Sequence, residues 1–518
     1  MTVEDANEFA KLTTDYSDFQ RDTIKSSPGR WFVLLVFCMV SMCQAMTWML
    51  LGPSSREFTR AYGNTVDSSY ISWATNAANI SFLLFTWPNA KLVEIYGPSF
   101  ATRFSIVLTF SGCVLRCIPW PSVELFRFFM VISMLLIGIA GPWSNFGGPT
   151  MSVTWFPVSE RITAQAIASV STFLGGVAAF VIGPAITVDA SKNDVQSQMD
   201  RIFKLYYLEA AIALITLIGA FVYFPDQPEF PPSISAAVKR KKSFRAKDSP
   251  ESGTKNRGKA SALFPKAWSE YWESTKIRRY LYLNFAISLP LGLYQGWSSV
   301  LDLNLQEFGI TTVESSWLGC WMTLSGCLAS IIVARYMDQF SGKLKTCCVV
   351  SLSLAAIFMF WFTQILSSMR EEEIASKKSM IGWLYMTIIC TGFFTNVSIP
   401  LQFELVAEAV FGVLPESMAL AVCTITNTVL QIIFLALPTK MNGSSIWMNW
   451  TSVFSVVICL FMLVIYKVDY SRLEMDIKQT SFDTEEDNLG ANIECAPMIG
   501  VKPAGEKIGF WFDRFGCI

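Results

Sequence analysis

About a dozen apolar segments, each roughly 20 residues long and parted by short polar breaks, fill the chain between Trp31 and Tyr466. At ~1.5 Å per helical residue, that length matches the hydrocarbon core of a bilayer. Stretches 31–51, 203–224 and 346–366 are clear instances. No soluble domain needs so many. The expected fold class is an all-α membrane protein with twelve transmembrane helices. They are expected to start near Trp31, Tyr70, Phe100, Val123, Thr163, Phe203, Tyr280, Ser315, Thr346, Met380, Met418 and Ile446.

Composition narrows the chemistry. Of 518 residues, 52% are apolar and only 16% charged, against about 25% charged in soluble domains. The net charge of −1 suggests no nucleic-acid partner. With His absent, no imidazole can relay protons or hold zinc or haem iron. Any proton-coupling group is then a carboxylate or another titratable side chain, and no metal or cofactor is expected. The 13 cysteines form no C-x-x-C and read as small buried apolar residues rather than a disulfide framework. No Walker A motif, ATP-binding domain or hydrolytic constellation occurs, which argues against a primary pump and against an enzyme.

Charge orders the segments. Residues 1–30 form a polar tail without the apolar core of a cleavable signal peptide. Residues 31–224 make a first six-helix bundle and 277–467 a second. Between them, 225–276 opens on Pro225, Pro228, Pro231 and Pro232 and continues through Lys239-Arg240-Lys241-Lys242. That linker cannot bury enough apolar surface to fold as a core, and its basic charge assigns it to the cytoplasm. An even helix count puts the N-terminal tail and the C-terminal tail, 468–518, there too. The glycosylation acceptor Asn442, in Asn442-Gly443-Ser444, then faces the lumen or exterior. Tyr16 and Phe19, in Tyr16-Ser17-Asp18-Phe19, fit a signal read by cytoplasmic sorting adaptors; the alternative is an unused tail tyrosine.

The halves echo each other. Glu94-Ile95-Tyr96-Gly97 after the second helix corresponds to a stretch from Asp338 to Lys345 after the eighth. Trp155 to Arg161 after the fourth corresponds to Val410 to Glu416 after the tenth. This is the pattern of a parallel repeat, and Glu94, Asp338, Glu160, Arg161 and Glu416 are its gating-loop candidates.

These turns resemble the major facilitator superfamily, whose loop after helix 2 reads G-x-x-x-D-R/K-x-G-R/K-R/K. The first copy keeps Gly97 but has Glu94 and Ile95 for the acid and the base; the second keeps Asp338, Gly342, Lys343 and Lys345 with one residue more. Finer matches resemble solute carrier family 49, the feline leukaemia virus subgroup C receptor-related carriers, and its member-4 branch above all. They run from Arg30-Trp31-Phe32 and Trp48, through Leu174-Gly175-Gly176 and Pro290-Leu291-Gly292, to Gly296-Trp297-Ser298 and Phe403-Glu404-Leu405. The resemblance covers most of 30–475. It implies the major facilitator fold and secondary transport of a small organic solute. Some branches carry choline and ethanolamine or haem; the member-4 branch carries pyridoxine (vitamin B6) with protons at lysosomes. A proton-coupled pyridoxine transporter of the lysosomal membrane is therefore the leading expectation, with the plasma membrane as the other address. Alternatives are a choline/ethanolamine facilitator, a haem carrier, or a nutrient sensor that keeps the carrier fold. Choline-carrying relatives place two Gln and a Tyr where Phe173, Thr428 and Ser298 stand here, which argues against choline.

Acids inside apolar segments are costly and mark candidate sites. Asp302, Glu404 and Glu408 are the proton-coupling candidates; otherwise Asp302 caps its helix and the glutamates pair with loop cations. Trp48, Tyr294 and Trp297 lie on the first and seventh helices, which line the central cavity in the family. They suit a flat ring or a cation, or else serve packing. Gln295 and Asn427 are polar groups able to orient a hydroxylated solute or to bond between helices.

Overall fold

A computed structural model describes residues 27–157, 160–188, 195–230, 232, 275–336, 343–371, 374–410, 416–438, 441 and 444–468. Met1–Asp469 form one unit and Tyr470–Ile518 a second, and all described residues lie in the first. The first half contains α1 (Arg30–Met49), a short α2 (Ser55–Tyr62), α3 (Ser68–Cys117), α4 (Val123–Trp155), α5 (Arg161–Thr187) and α6 (Val195–Val222). The second contains α7 (Thr275–Ser299), a short α8 (Leu301–Leu305), α9 (Thr312–Tyr336), α10 (Leu344–Glu371), α11 (Ile374–Val410), α12 (Glu416–Ala436) and α13 (Trp447–Ile465).

Local chemistry sets the boundaries. Asp67 caps α3 by accepting from the Tyr70 N–H at 2.8 Å, and Ser122 caps α4 through the Leu125 N–H at 3.3 Å. Within α3, Gly97 adopts φ 86° and ψ 171°, a conformation almost confined to glycine, and Pro98 follows it. The helix breaks there into two arms. Asp226 sits against the break and accepts from the Ser99 N–H at 2.8 Å, leaving no room for a Cβ at Gly97. With α3 counted as two arms, the long helices number twelve, as the spacing of apolar segments predicts. Nine of the helices among the described residues are long and apolar enough to cross a bilayer on those grounds alone. The first arm of α3 and α7 fall short, with polar residues such as Asn76, Asn79 and Asn284 along them, and α12 counts as a shorter apolar helix over Val422–Ala436.

Several starts differ from expectation. The sixth helix begins at Val195 rather than near Phe203, and the tenth at Ile374 rather than near Met380. Both added turns are polar, so an apolar-run criterion misses them.

The core lies within each half. In the first, Phe37, Trp143, Trp155 and Phe156 are buried together, with Trp143 Nε1 donating to Thr102 Oγ at 3.0 Å. In the second, Trp297, Phe308, Phe362 and Phe434 are buried together. Outward residues are also apolar: Leu84, Ile215 and Phe461 are 65%, 61% and 68% exposed, as expected of helix faces that meet lipid. Helix pairing repeats between halves: α1 packs on α5 as α7 packs on α12. The halves meet where α5 touches α9 and α12 touches α3.

Candidate functional site

Each half follows its first long helix with a short one, and these two short helices meet. α2 is too polar to insert by itself, and α8 carries Asp302. Arg56 Nε lies 3.1 Å from Asp302 Oδ1, with 9% and 2% of the two side chains exposed. The other guanidinium nitrogens donate to the carbonyls of Ile310 (2.6 Å) and Asp302 (2.5 Å). Ser55 Oγ (3.0 Å) and Ser315 Oγ (2.6 Å) donate to the Asp302 carboxylate. Gly52, just before α2, lies so close to the Ser299 carbonyl that a Cβ has no room. Further along, Asn76 Nδ2 donates across the halves to the Ile432 carbonyl at 3.3 Å. This end of the interface is a closed seam.

α2 itself is fastened to the first half. The Glu57 carboxylate bonds Arg60 at 2.8 Å and accepts from Gln198 Nε2 at 3.0 Å, while Gln198 also donates to the Thr187 carbonyl at 2.9 Å. The loop helix is therefore tied to α5 and α6, and a separation of the halves has to break the Arg56 contacts. α2 and α8 both lie outside the spanning helices. Burial pushes the Asp302 carboxyl up from its ordinary value, against the opposing pull of Arg56 and the two hydroxyls. Burial likewise raises Glu57, opposed chiefly by Arg60.

The ring and amide candidates fall into two groups. Trp48 is half-buried, edge-on to Phe82 with centroids 5.8 Å apart. On α7, Gln295 is exposed and accepts from Asn427 Nδ2 on α12 at 3.2 Å, so those two candidates are brought together. An exposed amide on a spanning helix belongs on a water-filled face rather than against lipid. Tyr294 is half-buried against the core of the second half. Trp297 is wholly buried, donates to Asn449 Oδ1 at 2.7 Å and meets Phe362 edge-on, the surroundings of a packing residue.

Glu404 is half-buried and Glu408 buried, one turn apart on α11, and each is engaged in a polar interaction. Glu160 takes a two-point contact from Arg30, at 3.0 and 3.1 Å, tying the start of α1 to the start of α5. Asp338, Asn442, Tyr16 and Phe19 lie outside the described residues, as do the side chains of Glu94, Arg161 and Glu416. Sequence reading misses Arg56, Glu57, Arg116 and Glu209. Arg56 stands in what reads as a polar break. Glu209, by contrast, stands inside 203–224, where a lone acid in an apolar run is a usable signal.

The model of the Major Facilitator Superfamily matches residues 33–438, and the chain belongs to that superfamily of membrane transporters. A Xenopus laevis protein named solute carrier family 49 member 4 homolog is 29% identical over 458 residues, 86% of this chain and 93% of its own. The human choline/ethanolamine transporter FLVCR2 is 24% identical over 449 residues, 85% of this chain and 76% of its own. Both relatives are similar to this chain over most of its length, in line with its resemblance to solute carrier family 49. Among solved structures, a D-xylose-proton symporter superposes with a TM-score of 0.60 at 12% identity, over 85% of this chain and 98% of that one. An inward-open xylose transporter XylE from E. coli gives 0.59 at 14%, over 85% and 97%. Both share the fold.

Arg56→Ala is expected to lower stability by about 3–5 kcal/mol, because it strands a buried carboxylate. Adding Asp302→Asn should restore most of that. Thermal unfolding in detergent reads both, and equal midpoints for the single and double variants would contradict the pairing.

Proposed function

We propose that this chain is a secondary transporter of a small organic solute, working by alternating access and coupled to protons, with pyridoxine as the leading substrate. The observation that carries the reading is the closed seam at Arg56 and Asp302, a releasable contact between two six-helix halves. With the basic linker read as cytoplasmic, the seam falls on the lumenal or exterior side. Trp48, Tyr294, Gln295 and Asn427 supply ring and amide contacts for a flat, hydroxylated solute. The reading adds the bilayer and sorting adaptors as partners and the lysosomal membrane as address. A second reading, choline or ethanolamine transport, is favoured by the named activity of FLVCR2; Phe173, Thr428 and Ser298 speak against it. Uptake of labelled pyridoxine, choline and ethanolamine into proteoliposomes at two pH values separates the two. A cation-only preference indifferent to pH rejects the pyridoxine reading.

The sign of coupling follows from Asp302. Burial raises its carboxyl in the closed seam, and exposure to water returns it toward about 3.9. The closed arrangement thus holds the proton more tightly, and acid favours closure. A proton taken from an acidic lumen then closes the seam behind the solute. Asp302→Asn mimics the protonated form. It is expected to fold and to lose the pH dependence of uptake; an unchanged pH profile excludes Asp302 as the coupling group and leaves Glu404 and Glu408.

Trp48→Ala should raise KM by a factor worth about 1–2 kcal/mol if the ring stacks on the solute, and Trp48→Phe should recover part of it. Equal KM at equal abundance rules stacking out.

Tyr16→Ala should shift a tagged protein from lysosomes to the plasma membrane, seen by microscopy. Retention in lysosomes rejects the signal, and plasma-membrane residence of the unaltered protein rejects the address.

A further inference from the structure

A second buried ion pair lies inside the first half, remote in sequence from the seam. Arg116, at the end of α3, donates from Nη1 to Glu209 Oε1 on α6 at 2.8 Å, and each side chain is 1% exposed. Arg116 also reaches Ser133 Oγ on α4 (2.8 Å) and the Thr47 carbonyl on α1 (3.3 Å). One guanidinium thereby joins four helices. The residue after Thr47 is Trp48, the aromatic candidate for the solute.

The pair is incompletely satisfied. Glu209 Oε2 is buried without a hydrogen-bond partner, and so is the hydroxyl of Tyr206 one turn earlier on α6. An ion pair that leaves one carboxylate oxygen bare is costly to keep in a helix bundle within lipid, and a well-packed apolar pair would hold these helices at lower cost. The other titratable groups close enough to act on the pair are Tyr70, Cys113 and Cys117 on α3, Cys43 on α1 and Tyr206 on α6. All are neutral as ordinary side chains, so Arg116 is the counter-charge Glu209 answers to.

We propose that Glu209 is a second proton-binding carboxylate, acting as a positioning residue: its charge sets how firmly Arg116 holds α1 beside Trp48. The inference rests on the reading of the chain as a proton-coupled carrier. When Glu209 takes a proton, the Arg116 charge turns to its remaining acceptors, the Thr47 carbonyl, Ser133 Oγ and Met134 Sδ. That draws α1 in and fixes Trp48, so acid raises solute affinity through this pair, while Asp302 governs closure of the seam.

Labelled-pyridoxine uptake by the full-length protein in proteoliposomes tests this, with KM measured at acidic and neutral pH. The wild-type KM is expected to fall about tenfold in acid, an ordinary size for coupling between two sites. Glu209→Gln, fixed in the protonated form, should keep the low KM at both pH values. Glu209→Asp should restore the dependence with a displaced midpoint. If Glu209→Gln keeps the wild-type pH dependence of KM, Glu209 is structural and the proposal fails alone. If the wild-type KM does not change with pH, this proposal falls; a wild-type uptake rate equally indifferent to pH removes the proton-coupled reading as well. Should Glu209→Gln yield too little folded protein, the neutral double variant Glu209→Gln/Arg116→Met carries the test. A KM independent of pH supports the proposal, and a wild-type profile overturns it.

Discussion

A charge withdrawn from water inside a helix bundle has to be met where it lands, and the partner it finds fixes the helices that carry both. Arg56 finds Asp302, two carbonyls and, through the shared carboxylate, the hydroxyls of Ser55 and Ser315. Arg116 finds Glu209, Ser133 and the Thr47 carbonyl. The first set joins the halves and the second joins helices within one half. Apolar burial gathers the helices but is indifferent to small sliding between them; these contacts select one arrangement, because a shift of a few ångströms strands a charge.

Close packing follows the same repeat in the two halves, by different residues. Gly175 on α5 faces the Met42 carbonyl of α1 with no room for a Cβ. Gly292 on α7 faces the Asn427 carbonyl of α12 in the same way. These are equivalent helix pairs, yet the glycine sits on opposite partners, so the repeat conserves the approach of two backbones rather than the residue that permits it. Between the halves, Gly319 of α9 admits the ring of Phe180 of α5. Two smooth surfaces of this kind suit rocking, whereas the polar seam supplies the catch.

The all-helical fold and the break near Gly97 were legible in the sequence, because apolar length and backbone-forcing residues act locally. The partnership of Arg56 with Asp302 was not: the two are remote in sequence, and a single chain carries no sign of which acid a base will meet. Trp297 shows the opposite limit. Its place on the seventh helix resembles a solute-facing position, but its ring is buried and its indole N–H is bonded to Asn449. Periodicity finds the helix, whereas the face a ring turns to depends on the neighbouring helices. Gln295 and Asn427 were singled out separately for their polarity at depth, and only the packing of α7 on α12 brings them together.

The seam has to close firmly and still open within a transport cycle. A buried ion pair meets that demand because its two large terms nearly cancel: the desolvation of Arg56 and Asp302 offsets most of their attraction. An apolar plug of the same area, at about 25 cal/mol per Å², lacks that offset and does not respond to protons. The hydroxyls of Ser55 and Ser315 keep Asp302 bonded in either charge state, since an O–H can donate to a carboxylate or accept from a carboxylic acid. Proton binding therefore shifts the balance between closed and open without dismantling the contact. Moving such an equilibrium from mostly one state to mostly the other takes about 5.5 kcal/mol of differential interaction, which the proton and the solute share in the proposed cycle.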